Sequence, residues 1–269
     1  MRLTVLGSGS AFSTCGCNAG YLVDGRVLVD CGAPVPALVR RAGTSVHDLT
    51  LILLTHFHAD HSFVLPTVLG ARAFTDVEHP GPLVVGGPVG TREYVERLLS
   101  TGYGRHIRTL VDSTVAPEYL VLQDGSDVSV AGYRVQSHAV VHSTGPSLAY
   151  RITDASGASV GFSGDSEMCG GLRRSIAGCD LYVCECTGWD GPEPGGHLWR
   201  DEVATLMAEN PQTRFLLSHL IERRHLDGAL VAHDMLSLEI AAAATSPGAV
   251  SGARSATPGH ARTPSRPPR

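Results

Sequence analysis

The sequence predicts a layered α/β sandwich, and three observations carry that expectation. Short apolar runs of strand length alternate with helix-length segments, the strands fall into two groups with helices between and after them, and several strand candidates run directly into a histidine or an aspartate. With 269 residues, 43% hydrophobic and 17% charged, the chain has the composition of an ordinary globular protein able to bury a full core. One domain is expected over residues 1–244.

Leu3 to Leu6 reads as the first strand. Gly20 to Asp30 reads as a hairpin turning at Asp24-Gly25, a pair that tolerates the left-handed backbone of a tight turn. Pro34 to Ala42 has the length of a short helix, residues 49–54 form an apolar strand, and His61 to Arg72 continues as a helix. Leu83 to Val85 is a strand, Thr91 to Leu99 a helix, and residues 118–140 hold two or three strands with turns at Asp124-Gly125 and Ala131-Gly132. Leu148 to Ile152, Ser159 to Phe162 and Leu181 to Cys184 are further strands. Arg200 to Glu209 is a helix that Pro211 stops, Arg214 to Leu217 is the last strand, and Asp227 to Ala244 is expected to be a final helix. No repeat of solenoid period is evident. From about Thr245 the chain turns to Ser, Pro, Gly and Arg, so burial cannot offset its ordering entropy, and residues 245–269 are expected to be a disordered tail.

Composition narrows the function classes. The run Met1 to Gly9 is too short for a secretory signal, and no window approaches the roughly eighteen apolar residues of a membrane span, so a cytoplasmic protein without membrane contact is expected. Seven cysteines at irregular spacings point to reduced, mostly buried thiols. Cys15-Gly16-Cys17 and Cys184-Glu185-Cys186 lack the two-residue spacer of a zinc knuckle. The formal charge is −5 and every cation is an arginine; four of them, Arg254, Arg262, Arg266 and Arg269, lie in a tail without acids, leaving −5 − 4 = −9 on the body. An acidic body argues against a broad nucleic-acid-binding face.

The chemistry concentrates in Thr55-His56-Phe57-His58-Ala59-Asp60-His61, on the loop leaving the strand 49–54. His56 and His58, two apart on one loop, can both point at one ion, while Asp60 and His61, turning into the next helix, can reach a second. Imidazole and carboxylate bind Zn²⁺ at about 2.0–2.2 Å, and the cluster supplies four of the roughly six or seven ligands that two ions need. Three more candidates sit where strands end: His142 after Arg134 to Val141, Asp165 after Val160 to Gly164, and His219 after Phe215 to Ser218. Strand ends are where the loops of an α/β sheet build sites. A lone histidine there is more often structural, but three such residues beside a four-ligand cluster reverse the odds. His138 lies in the same strand as His142 with the same facing; His142 is preferred because it ends the strand. His47, His79, His106, His225, His233 and His260 have no such context.

The stretch His56 to His61 resembles the His-x-His-x-Asp-His signature of the metallo-β-lactamase superfamily, with His142, Asp165 and His219 following in that superfamily's order. The resemblance spans roughly residues 1 to 220 and implies the four-layered αββα sandwich of the metallo-β-lactamase fold. It implies one zinc on His56, His58 and His142, a second on Asp60, His61 and His219, and Asp165 bridging both, with Mn²⁺ or Fe²⁺ as alternatives. Leu6-Gly7-Ser8-Gly9-Ser10-Ala11, Val29-Asp30-Cys31-Gly32 and His142-Ser143 look like the ribonuclease Z-like phosphodiesterase branch. The drug-hydrolysing lactamases typically lack His61 with a bridging aspartate, and glyoxalase II needs an extra domain for which little chain remains.

Cys184-Glu185-Cys186-Thr187 and Gly196-His197-Leu198 resemble two further segments of that branch. They imply His197 as general acid to the leaving oxygen and Glu185 as a carboxylate that orients a ligand imidazole; Asp60 is grouped with His197 as catalytic. Transfer-RNA-processing members carry a long RNA-gripping arm between the residues matching His142 and Asp165, where this chain reads as a compact hairpin around Asp154-Ala155-Ser156-Gly157. Extended nucleic acid is therefore disfavoured, and a small phosphodiester such as a cyclic nucleotide is the substrate the resemblance favours, with a metal-bridged hydroxide as nucleophile. Two Zn²⁺, two carboxylates and that hydroxide sum to about +1, which suits an anionic substrate. The competing expectations are hydrolysis of a lactone, thioester or sulfate ester, tRNA 3′ processing, and metal binding without turnover. Dimers are frequent in the family, which puts a homodimer among the expectations.

Overall fold

The computed structural model describes residues 1–74, 81–193 and 195–242. The first half of the chain forms β1 (Arg2–Gly7), β2 (Gly20–Val23), β3 (Val27–Val29), α1 (Val35–Arg41), β4 (Leu51–Leu53), α2 (Ala59–Ser62), α3 (Leu65–Ala73), β5 (Val84–Gly87), α4 (Thr91–Thr114) and β6 (Glu118–Val121). The second forms β7 (Asp127–Val130), β8 (Tyr133–Val140), β9 (Ser147–Thr153), β10 (Ser159–Phe162), α5 (Gly170–Ile176), β11 (Leu181–Glu185), α6 (Arg200–Glu209), β12 (Arg214–Ser218), β13 (Ala229–Val231) and β14 (Ser237–Glu239). The strands make two seven-stranded sheets, ordered β14-β1-β2-β3-β4-β5-β6 and β13-β12-β11-β10-β9-β8-β7. Each is antiparallel over one half and parallel over the other, the change falling at β3 in the first and β10 in the second.

Two sheets face each other and helices cover both outer surfaces, which gives the αββα layering. Leu51 and Leu53 of β4 enter the core between the sheets with Tyr150, Val160 and Leu216. Ile52 and Leu54 point the other way, into a second core with Val39, Leu69 and Leu99 of α1, α3 and α4. On the far side, Tyr182 and Cys184 of β11 pack with Leu172 and Leu206 of α5 and α6. Parallel strands covered on both faces need apolar residues at every position, which is why 51–54 is a continuous apolar run.

The segment expected as a final helix from Asp227 is instead extended as far as it is described. β13 pairs in parallel with β12, Phe215 opposite Ala229, and β14 pairs antiparallel with β1, Arg2 opposite Glu239. Both sheets would otherwise end in β12 and β1 with unmet backbone donors and acceptors, and pairing with those edges outweighs a local helical composition. The rest of that expected helix and the tail lie outside the described residues. The helix expected from His61 is two pieces, α2 and α3, with Pro66 in the first turn of α3, where a missing N–H costs nothing. The helix from Thr91 runs on to Thr114 across a break at Gly104 (φ 76°). A helix the sequence did not announce, α5, opens on two glycines that hide its pattern.

All seven cysteines are free, and four of them are buried. Among the described residues no helix is long and apolar enough to cross a membrane. The interval between His142 and Asp165 holds the hairpin β9–β10, closed by Asp154, whose carboxylate accepts from the amides of Ser156 and Ala158.

Two hydrogen bonds tie the sheets together beside the histidine loop: the Leu148 amide of β9 donates to the Thr55 carbonyl at 2.9 Å, and the fully buried Tyr150 hydroxyl donates to the Leu54 carbonyl at 2.7 Å. Removing the hydroxyl strands a buried carbonyl, so Tyr150→Phe should lose about 1–3 kcal/mol of unfolding free energy in urea titration. An unchanged midpoint would show that this bond does not hold the layers.

Candidate metal centre

The ends of β4, β8, β10, β11 and β12 converge at one edge of the sandwich and deliver His56 to His61, His142, Asp165, Glu185 and His219 there. Asp30, just beyond β3, and His219, just beyond β12, both take left-handed backbone, with φ of 59° and 54°. Non-glycine residues pay for that conformation, and they pay here where the turn swings their side chains inward. The histidine loop is held from outside: Tyr94 of α4 stacks on Phe57 at 4.4 Å and donates to its carbonyl at 2.8 Å, while Ser62 Oγ donates to the His58 carbonyl at 2.6 Å.

Two sets of ligand atoms, each within 4.8 Å of one another, share Asp165: His56, His58, His142 and Asp165, and Asp60, His61, Asp165 and His219; Glu185, His197 and His219 form a third group at the same spacing. In the first, His142 Nε2 lies 3.1 Å from His58 Nδ1, and Asp165 Oδ2 lies 3.7 Å from His56 Nε2 and 3.8 Å from His142 Nε2. In the second, His219 Nε2 is 3.1 Å from Asp60 Oδ2 and 3.4 Å from Asp165 Oδ2, and His61 Nε2 is 3.4 Å from Asp60 Oδ2 and 3.3 Å from Asp165 Oδ1. Tetrahedral ligands about 2.1 Å from an ion stand about 3.4 Å apart, so both sets have the spacing that one cation each requires. His56 Nε2, His61 Nε2 and Asp165 Oδ1 are buried without a hydrogen-bond partner. Orphaned acceptors of that kind are costly in a dry interior unless a cation meets them, so the donor set fits two metal ions.

The far nitrogens show how the rings are aimed. His61 Nδ1 donates to Asp30 Oδ2 at 2.8 Å, and His142 Nδ1 donates to the Gly196 carbonyl at 2.9 Å. His56 Nδ1 donates to Thr55 Oγ1 at 3.0 Å, whose hydroxyl passes on to Asp30; His219 Nδ1 donates to Thr187 Oγ1 at 2.8 Å, whose hydroxyl passes on to Glu185 Oε2. With Nδ1 committed as donor, each of these four rings turns an Nε2 lone pair toward the centre. His58 alone presents Nδ1. Gly196 supplies its carbonyl from a left-handed turn (φ 85°).

Burial alone would raise the pKa values of Asp60 and Asp165, but the neighbouring imidazoles, His219 foremost, outweigh it and hold both below the usual carboxylate range. Both carboxylates are therefore ionised. Burial lowers the pKa of His56, aided by His61 and opposed by Asp165, and the lowering favours the neutral ring that can ligate.

His197 stands beside the two sets, its Nδ1 3.2 Å from both oxygens of Glu185 and 3.9 Å from Asp165. Burial disfavours a charge on it, but Glu185 outweighs that and pushes its pKa up to about 9. Glu185 also accepts from the Ser166 amide at 2.7 Å. It thus touches His197 directly and reaches the ligand His219 only through Thr187. His138 is elsewhere, beside Asp124, Arg174 and Arg151, and belongs to neither set. His47, His106, His225 and His233 are likewise outside both sets, and His79 and His260 lie outside the described residues. The residues that sequence reasoning left without a role are Asp30, Thr55, Tyr94 and Thr187. Asp30 and Thr187 were visible as neighbours of marked positions, but nothing in one dimension says which ring each meets.

Fold and site define the class: the chain is a metal-dependent hydrolase of the metallo-β-lactamase fold. Human tRNase Z, short form, superposes with a TM-score of 0.72 at 21% identity, over 89% of this chain and 99% of that one. Ribonuclease Z of Methanosarcina acetivorans is 24% identical over 311 residues, covering 89% of this chain and 98% of its own. An uncharacterized Mycobacterium tuberculosis protein, Rv1339, is 31% identical over 229 residues, 82% of this chain and 81% of its own length. The family model described as anti-Pycsar protein Apyc1 matches residues 1–225, and the chain belongs to that family.

Asp30 braces two rings at once, so Asp30→Ala should weaken zinc binding by about 10–100-fold in a competition titration against a chromophoric chelator. Native affinity in that variant would remove Asp30 from the centre. Gly32 packs so closely that an added Cβ would lie 1.6 Å from the Asp60 carbonyl oxygen. Gly32→Ala should therefore lower the zinc stoichiometry measured by elemental analysis even where the protein folds.

Proposed function

We propose that this chain is a phosphodiesterase for small substrates, a cyclic nucleotide above all, and that residues 1–244 form its hydrolase domain. The observation that carries this is a cavity of about 540 Å³ opening onto both ligand sets, lined by His58, Asp60, Asp165, His197 and His219. That volume lies within the range of about 300–1,000 Å³ typical of small-molecule sites. The lining suits one phosphodiester and its substituents better than a polynucleotide, and the hairpin β9–β10 between His142 and Asp165 offers no extended grip for RNA.

His56, His58, His142 and Asp165 would hold one ion and Asp60, His61, His219 and Asp165 the other, with zinc, manganese or iron(II) all suited to imidazole and carboxylate donors. Two such ions, when bound, acidify a water and polarise a phosphoryl oxygen. Asp165, shared by both sets, would hold the two ions at a set separation. Asp30 and Thr187 keep the rings from turning as charge develops. Glu185 occupies His197 Nδ1, which leaves Nε2 to hand a proton to the departing oxygen, and its carboxylate steadies the ring's charge beforehand.

Asp165→Ala and His61→Ala should each abolish turnover of bis-p-nitrophenyl phosphate and lower the bound metal. His197→Ala should keep its metal but lose about 10²–10⁴ in kcat. Full activity in either ligand variant would sink the site assignment. Turnover of lactones, thioesters or sulfate esters without any phosphodiester turnover would replace the substrate class.

A further inference from the structure

We propose, resting on the two-ion reading of the centre and on no particular substrate, that Tyr94 of α4 is the positioning residue for His58. Its hydroxyl sets the affinity of the ion held by His56, His58, His142 and Asp165 and leaves the other ion's affinity unchanged.

His58 is the odd ligand ring. Each of the other four commits its far nitrogen to a fixed partner: His56 to Thr55, His61 to Asp30, His142 to the Gly196 carbonyl and His219 to Thr187. His58 turns Nδ1 inward, 3.1 Å from His142 Nε2, and among the described residues its own Nε2 meets no hydrogen-bond partner. The side chains of the other four are at most 4% exposed, whereas His58 is half-buried and borders the cavity. A ligand without an outer bond on its ring is aimed by its backbone alone.

That backbone is held by α4. Tyr94 Oη donates to the Phe57 carbonyl at 2.8 Å, its ring stacks on Phe57 at 4.4 Å with the planes 20° apart, and Ser62 Oγ donates to the His58 carbonyl at 2.6 Å. The two hydroxyls lie 2.6 Å apart, so two protons serve three contacts and fix the Phe57 and His58 carbonyls as a unit. The helix beneath does not yield, because Val95 and Leu99 of α4 are fully buried in the outer core.

The rest of the histidine loop is anchored by a different element. The Cys31 amide donates to the His61 carbonyl at 2.6 Å, the Val64 amide donates to the Cys31 carbonyl at 3.0 Å, and Gly32 packs on the Asp60 carbonyl. Asp60 and His61, which serve the second ion, are therefore held from beyond β3, independently of Tyr94. His58 is the ligand on which α4 acts, and it belongs to one set alone.

The test follows zinc release from the full chain against a chromophoric chelator. In Tyr94→Phe one ion should be held about tenfold more weakly and the other unchanged, the low end for loss of an outer contact because the hydroxyl acts through the backbone. Ligand variants then assign the ion. In a His219→Ala background, which breaks the second set, Tyr94→Phe should still weaken the remaining ion about tenfold, and in a His58→Ala background it should change nothing further. Ser62→Ala should weaken the same ion, and it decides the question where Tyr94→Phe does not fold. Equal weakening of both ions, or of neither, overturns the assignment of Tyr94 to His58, as does an effect that survives in His58→Ala. A wild-type chain that holds fewer than two ions overturns the two-ion reading and this assignment with it.

Discussion

The constraint on which everything else depends is the gathering of seven candidate ligand side chains, five of them on buried residues, at one end of two sheets. Ionised carboxylates and lone pairs crowded into a dry interior repel or go unmet unless something positive lies among them. The surrounding imidazoles favour the charged forms of Asp60 and Asp165, and three buried atoms of the centre still lack hydrogen-bond partners. Such a centre stores a demand for cations, and the ring of outer contacts through Asp30, Thr55, Thr187 and Gly196 keeps the side chains from relaxing away from it. Rigid aim is what turns a group of polar residues into a site.

The fold supplies that rigidity by placing every ligand at the end of a strand or in the loop just beyond it, anchored in cores on both faces. β4 shows the coupling most directly. Its residues alternate between the inter-sheet core and the helix-facing core, and the chain leaves it straight into Thr55 and the histidines, with Tyr150 bonded to the last carbonyl before the loop. The two left-handed residues, Asp30 and His219, mark where the backbone bends against its preference to close the centre. Neither would hold that conformation without the packing behind it.

The cavity carries two exposed phenylalanines, Phe12 and Phe63, in its wall, and His197 stands in it beside the ligand sets. The loop bearing Phe12 is clamped by Asp234, which reaches it because the segment between β13 and β14 passes from the edge of one sheet to the edge of the other. The stretch misread as a helix is therefore what positions the wall of the site. Its local composition favoured a helix, and only the free edges of β1 and β12 favoured strands.

Some of this protein was legible in one dimension because its chemistry is local. His56, His58, Asp60 and His61 lie within six residues, and the strand-end positions of His142, Asp165 and His219 follow from apolar runs that any sequence reading registers. The same runs predict the order of strands as far as β12. What tertiary structure alone decided is which groups meet across long separations: Asp30 with His61, Thr187 with His219, Asp234 with Ser8, β14 with β1. By itself the sequence determined the ligand types and their order, since these are properties of single residues and short spacings. The aim of each ring and the exposure of Phe12 were decided by packing, because they depend on the three-dimensional neighbours of a residue and not on its neighbours in the chain.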